Sequence, residues 1–237
     1  MSQRLIMPFT RQMMLCGYKV RPYREHWGYN HFGIDVSTIQ GGAGEDHNVY
    51  ASGEGTVLAA GEDSGVGGAL VLEYPDCLIR ATGEVCPLVA RYFHLASLAV
   101  KPGDTVVTGT PLGVEGNAMT TDYHLHLELD RDTEYPLMSP QVAGGSLILA
   151  GIDTTVNPSH VLHLGPGQQI VPPTYNPAWL NPEDREIPLL PAEDELSLLR
   201  ARLGKLAAEL AKARALAQSR LALLEKIAAL AKTGDEL

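Results

Sequence analysis

His124-Leu125-His126-Leu127-Glu128-Leu129 is the stretch of this chain whose reading decides the fold. Polar and apolar side chains alternate in it without a break. Successive side chains of a β-strand point to opposite faces, so the alternation predicts a strand with one buried face. Leu125, Leu127 and Leu129 would enter a core. His124, His126 and Glu128 would share the other face. Two imidazoles side by side on a strand can converge on one reaction centre. A pair of solvated histidines on an open sheet face is the competing reading, and His-X-His alone does not separate the two.

Working outward, other runs look like strands. They are Val57-Leu58-Ala59-Ala60, Ala69-Leu70-Val71-Leu72-Glu73-Tyr74 and Leu88-Val89-Ala90-Arg91-Tyr92-Phe93. Each is bounded by Gly, Pro, Asp or Asn, the residues that stop strands and make turns. No long stretch before residue 165 shows helical periodicity. The fold expected is mainly β, an antiparallel sheet domain over residues 1–165.

Two further segments follow. Pro166, Pro172, Pro173, Pro177, Pro182, Pro188 and Pro191 crowd residues 166–192. Proline fixes φ and removes a backbone donor, so a linker or a strap laid over the domain is expected. From residue 193 to 234 the composition turns to Ala, Leu, Lys, Arg and Glu. Glu193, Asp194 and Glu195 suit a helix N-terminus, where the backbone dipole favours negative charge. Leu196, Leu199, Leu203, Leu206, Leu210, Ala213, Ala217, Leu224, Ile227 and Ala231 fall on alternating three- and four-residue steps, interrupted by Arg220. Leu216, Leu223 and Leu230 add a second apolar line. Such a seam reads as a coiled coil, giving a homo-oligomer or a partner contact, or as a helix packed on its own domain.

Composition narrows the partners. The chain has 237 residues and a formal net charge of -10. The segment from Glu193 onward is nearly neutral, so the acidity belongs to the first 192 residues. An acidic body repels phosphate backbones, which disfavours nucleic acid. No run approaches the roughly 20 apolar residues of a membrane-spanning helix, so no membrane insertion is expected. The N-terminal residues lack a long apolar run. Cytoplasmic synthesis is therefore expected, or a leader has been removed. Cys16, Cys77 and Cys86 do not make a dense disulfide framework. Cys77 and Cys86 read either as a pair across a hairpin or as two reduced thiols.

Three histidine clusters carry the chemistry. His31-Phe32-Gly33-Ile34-Asp35 offers an imidazole and a carboxylate four residues apart, with Gly33 permitting a close turn or bulge. Tyr92-Phe93-His94-Leu95 holds a second lone histidine, and His124-Leu125-His126 the pair. Zinc accepts nitrogen and oxygen ligands, and catalytic sites keep one position open for water. Two histidines and one carboxylate would supply three ligands and leave other histidines free to handle protons. His26 and His47 read as polar loop residues, at the surface or fringing the cleft, and His160 and His163 as capping or packing residues. Glu128 reads equally as a group that orients a ligand and as a solvated carboxylate.

In this order the three clusters resemble the lysostaphin/LytM family of zinc endopeptidases. That family's pattern is His-X-X-X-Asp, then a distal His in an aromatic-X-His-Leu segment, then His-X-His. The connecting text is similar too: Asn48 to Val57, Val100 to Val106, Gly109 to Gly113, and Val156-Asn157-Pro158. The resemblance covers roughly residues 17 to 162. It implies one Zn2+ per chain held by His31, Asp35 and His126, with His94 and His124 as catalytic groups. His124 is the expected general base and His94 the group that meets the oxyanion or the leaving amine, with the two roles exchangeable. Tyr92, two residues before His94, is a candidate substrate contact or a packing tyrosine.

The resemblance further implies hydrolysis of peptide bonds in bacterial peptidoglycan cross-links or stem peptides. A phage or prophage lysis product, or a virion-borne one, would fit the missing leader. The competing reading is a non-catalytic wall-binding or scaffold protein on the same fold. A D-alanyl-D-alanine carboxypeptidase is disfavoured by the spacing of the His and Asp. The sequence departs from the family at Thr120-Thr121-Asp122-Tyr123, where a Thr-Gly-Pro turn is usual, and in the longer segment Pro75 to Leu88.

Overall fold

The structure, a computed structural model, describes residues 2–38, 46–140, 144–171 and 177–234. Pro172 and Pro173 of the proline-rich segment, and the side chains of Leu230 and Ala231 in the apolar seam, lie outside the described residues. The chain divides into two compact units, Met1–Glu195 and Leu196–Leu237.

The first unit is mainly β. Its elements are β1 (Arg11–Cys16), α1 (Arg21–Trp27), β2 (Ile34–Ser37), β3 (Asn48–Tyr50), β4 (Gly55–Asp63), β5 (Gly67–Ile79) and β6 (Glu84–Leu95). There follow β7 (Ser97–Leu98), β8 (Thr105–Val106), β9 (Pro111–Val114), β10 (Leu125–Asp130), β11 (Met138–Ser139), β12 (Leu149–Ala150), β13 (Thr155–Val156) and β14 (Gln169–Val171). The main sheet runs β14-β1-β2-β10-β6-β5-β4-β8, with β13 also paired to β10. Its pairs are antiparallel except the parallel β1–β14 pair. The runs read as strands, Val57–Ala60, Ala69–Tyr74, Leu88–Phe93 and Leu125–Leu129, lie in β4, β5, β6 and β10.

Register explains where the core sits. Leu127 stands opposite Ile34 on β2 and Tyr92 on β6, and Leu129 opposite Ala90. Leu125, Leu127 and Leu129 are fully buried with Ile34, Val36, Leu70, Leu72, Ala90 and Tyr92. A fully buried leucine contributes about 1.5–3 kcal/mol by leaving water, so this face pins the register of β10. The opposite face carries a smaller apolar cluster of Val71, Val89, Phe93 and Ile148 beside the polar residues of the site.

The β5–β6 hairpin turns through Gly83, whose φ of +74° is open to glycine and strained for other residues. Cys77 and Cys86 stand opposite each other in this hairpin as free thiols. Described residues of the proline-rich segment pack on the domain: Leu189 bridges to Leu164, and Leu180 and Ile187 join the main core. The Trp179 carbonyl accepts from the Gly17 N–H at 2.8 Å.

The helix α2 spans Ala192–Gly234, with Glu193, Asp194 and Glu195 in its first turn. Among the described residues, no helix is long and apolar enough to cross a membrane.

Candidate metal centre

The site lies where β2 and β10 run side by side. Their register places Asp35 directly opposite His126, and Phe93 of β6 flanks His126 on its other side. His31 arrives from the segment just before β2. Gly33 between His31 and Asp35 lets that segment lie against β10. A Cβ at Gly33 would sit 2.4 Å from the Leu127 carbonyl oxygen and 2.8 Å from His126 Nε2.

Three donor atoms meet. His31 Nε2 is 3.0 Å from Asp35 Oδ1 and 2.9 Å from His126 Nδ1. Asp35 Oδ1 is 2.9 Å from His126 Nδ1. The His31 ring is oriented by its own backbone contact: Nδ1 donates to the Gly17 carbonyl at 2.9 Å. That proton leaves Nε2 with a lone pair toward the centre. His126 is the reverse case. Its Nε2 lies 3.5 Å from Glu128 Oε1, so Nδ1 faces the centre. Phe93 stacks on the His126 ring with the planes 4° apart.

The charges around this point call for a cation. Burial disfavours the Asp35 carboxylate, yet His31, His124 and His126 overcome it and hold its pKa well below the usual range. Burial also disfavours a charged His126, but Asp35 and Glu128 outweigh it and raise its pKa to about 9. The surroundings of that imidazole are thus strongly negative. Two nitrogens and one carboxylate oxygen are a donor set that zinc accepts. Ligands about 2.0–2.1 Å from a tetrahedral ion are themselves about 3.3 Å apart, so the observed spacing fits with a few tenths of an ångström of expansion. Cys16 Sγ also lies within 4.8 Å of the donor atoms of His31 and Asp35. The sequence reading assigned no role to Cys16.

Two more histidines face the same point. His94 Nδ1 donates to the carbonyls of Val66 at 3.0 Å and Ala118 at 2.9 Å. His124 Nδ1 donates to the Asp122 carbonyl at 2.9 Å. Both rings therefore keep Nε2 as a free acceptor when neutral. Their centroids are 4.8 Å apart, and His124 Nε2 is 3.8 Å from Asp35 Oδ1. Burial first, and then His124 and His126, lower the pKa of His94 to about 4.

His94 is brought to the site by its backbone. Its φ is +67°, a left-handed value that costs a non-glycine residue roughly 1–2 kcal/mol. The strand alternation breaks there, and of the two readings of Tyr92 its burial matches the packing tyrosine. Simple alternation places Tyr92 on the face of His94. Instead Tyr92 is fully buried in the core, and its hydroxyl bonds Tyr74 at 2.9 Å and Ser52 at 3.3 Å. Tyr92 packs and does not line the cleft. Phe93 does.

Behind His126 stands a buried ionic network. Glu128 Oε2 accepts from Arg91 Nη1 at 3.0 Å, and its Oε1 accepts from Ser139 Oγ at 2.8 Å. Arg91 Nη1 also reaches Asp130 Oδ2 at 2.8 Å, and Arg91 Nε donates to the Pro136 carbonyl. Arg91, Glu128 and Asp130 are all fully buried. Glu128 is thus no solvated carboxylate. Sequence reasoning missed Arg91, although a lone arginine inside the apolar run Leu88–Phe93 was its signal.

Above the centre opens a cleft of about 990 Å³. One wall is aromatic, built by α1, the residues after it and the proline-rich segment. Tyr23 packs against Trp27, Tyr29, Trp179 and His31, with centroids 4.6–6.3 Å apart. His26, read as a loop residue, also lines the cleft, its ring 4.7 Å from that of Trp27. His47 bonds Thr38 Oγ1 at 2.6 Å, and His160 lies 3.5 Å from Glu183. Neither joins the cluster. His163 is buried elsewhere.

Residues 29–137 match the sequence model of Peptidase family M23. Solved structures similar to this chain include a zinc containing peptidase from Vibrio cholerae, 22% identical, TM-score 0.41, covering 54% of this chain and 37% of that one. Lysostaphin from Staphylococcus simulans is 23% identical, TM-score 0.39, covering 62% and 47%. The catalytic domain of the prophage-encoded M23 protein EnpA from Enterococcus faecalis is 24% identical, TM-score 0.42, covering 56% and 92%. The chain thus spans less than half the length of the first two. No curated protein matches it. Through residues 29–137 the chain is similar to the lysostaphin/LytM type of peptidase, Peptidase family M23.

Proposed function

We propose that this chain is a zinc-dependent endopeptidase that hydrolyses peptide bonds in the cross-links or stem peptides of bacterial peptidoglycan. One observation carries the reading: His31 Nε2, Asp35 Oδ1 and His126 Nδ1 converge within 3.0 Å while the Nε2 atoms of His94 and His124 remain free beside them. His31, Asp35 and His126 would hold the ion, which when bound would supply Lewis acidity to the attacking water and the scissile carbonyl. His124 Nε2 takes a proton from the attacking water. Asp35, 3.8 Å away, stabilises the imidazolium that results. His124 then returns that proton to the leaving amine. His94, neutral with its proton on Nδ1, turns its Nε2 acceptor toward the same water and can exchange roles with His124. Glu128, held by Arg91 and Ser139, keeps the His126 ring turned with Nδ1 inward. The aromatic wall of Tyr23, Trp27 and Trp179 excludes water from one side of the bound peptide.

The test joins metal analysis to wall digestion. Full-length protein should carry one zinc per chain and reduce the turbidity of purified walls, and His126→Ala should do neither. Mass spectrometry of the digest would identify the bond. Wall binding without any cleavage by the zinc-loaded protein would instead support the non-catalytic scaffold.

A further inference from the structure

The second unit carries an apolar surface that the structure leaves open. Leu196, Leu199, Leu203, Leu206, Leu210, Leu224 and Ile227 are each 45–68% exposed. They occupy one strict heptad register in which 196, 203, 210, 217 and 224 are a positions and 199, 206, 213, 220 and 227 are d positions. Ten large apolar side chains, with Leu216, Leu221 and Leu223 among them, half-exposed along one helix cost far more than a scattered few. A heptad seam is buried by another helix with the same repeat.

The charges flanking the seam identify that helix. In this register the g positions include Glu195 and Glu209, and the e positions include Arg200 and Arg214. A parallel, in-register pair sets each g residue against the e residue five positions further along its partner. Glu195 then faces Arg200, and Glu209 faces Arg214, twice each by symmetry. Leu216 meets Leu221 in the same relation. An antiparallel pair sets e against e and g against g. Among the e positions 193, 200, 207, 214 and 221 only Glu193 is acidic, so at most one of Arg200 and Arg214 finds a carboxylate there. Arg220, at a d position, is a single polar interruption of the kind that fixes register at a cost in stability.

We propose that α2 is the interface of a parallel, in-register coiled coil with a second copy of this chain. Each helix continues from its own N-terminal unit, so parallel pairing joins two of those units to the same end of one coil. On an insoluble polymer, two linked sites bind with avidity that neither has alone. The pairing rests on the helix and not on the metal site, so it stands or falls apart from the proposed peptidase activity.

Analytical ultracentrifugation of the full chain tests it with two charge-reversed variants. One carries Glu195→Lys and Glu209→Lys, the other Arg200→Glu and Arg214→Glu. The parent should sediment as an oligomer. Each variant alone should show a dissociation constant about tenfold higher or more, because four favourable pairs become repulsive. An equal mixture should recover association, which also shows that both variants still fold. A parent that stays monomeric, or variants that self-associate as well as the parent, would overturn the proposal.

Discussion

His31 Nε2 and His126 Nδ1 lie 2.9 Å apart, two ring nitrogens from residues 95 positions apart in the chain. Gly17 fixes the proton of one ring, and Glu128 draws the proton of the other away from the centre. Both lone pairs then aim at one point beside Asp35 Oδ1. Replacing His31, Asp35 or His126 by alanine should lower bound zinc from one per chain to near zero. Wall hydrolysis should fall by more than about 100-fold. Atomic emission and turbidity loss read the two effects separately.

Glu128→Gln should weaken zinc binding about 10- to 100-fold, measured by competition with a chelating dye. The exchange keeps the shape but removes the charge that draws the His126 proton. Arg91→Met behaves differently, because it leaves Glu128 and Asp130 buried without their cation. It should cost about 3–5 kcal/mol of stability by urea unfolding.

The Asp63 carboxylate gathers four backbone N–H groups, from Gly65, Val66, Leu147 and Ile148 at 2.7–3.1 Å. Burial opposes its ionisation, but these donors win and its pKa is lowered. Its stabilising contribution is therefore complete above the unfolded aspartate pKa of about 3.9. It disappears as pH falls through the lower folded value. Asp63→Asn should cost about 1–3 kcal/mol near neutral pH, with the difference from the parent shrinking in acid. Thermal melts between neutral pH and the acid range would show it. A constant difference across that range would contradict the assignment.

The chain has two tryptophans, and both Trp27 and Trp179 line the cleft. Their fluorescence should change when a soluble peptidoglycan fragment binds. Trp27→Ala should raise KM about two- to tenfold with a smaller effect on kcat. An equal fall in both kcat and kcat/KM would move Trp27 from substrate binding to transition-state contact.

Tyr92→Phe should leave kcat and KM unchanged. It removes the hydrogen bond to Tyr74, and a loss of about 1 kcal/mol of stability is expected. A large change in KM would restore Tyr92 as a substrate contact.

Much of this protein is legible in its residues alone. Strand alternation placed Leu125, Leu127 and Leu129 in the core, because burial of one face is a local, period-two constraint. The heptad of residues 196–227 is equally local. The ordered motifs around His31, His94 and His126 pointed to the family, because a metal site needs particular donors whatever surrounds them. Tertiary structure alone decided the rest. Which ring nitrogen of each histidine faces the centre depends on carbonyls and carboxylates brought from other strands. The left-handed backbone at His94, which turns it toward the cleft while Tyr92 goes to the core, is held by Val66 and Ala118 from distant loops. Arg91 bridges to Glu128 and Asp130 only because β6 and β10 are neighbours. The aromatic wall joins Tyr23 to Trp179 across more than 150 residues. Such pairings are set by packing between elements far apart in the chain, and no local periodicity records them.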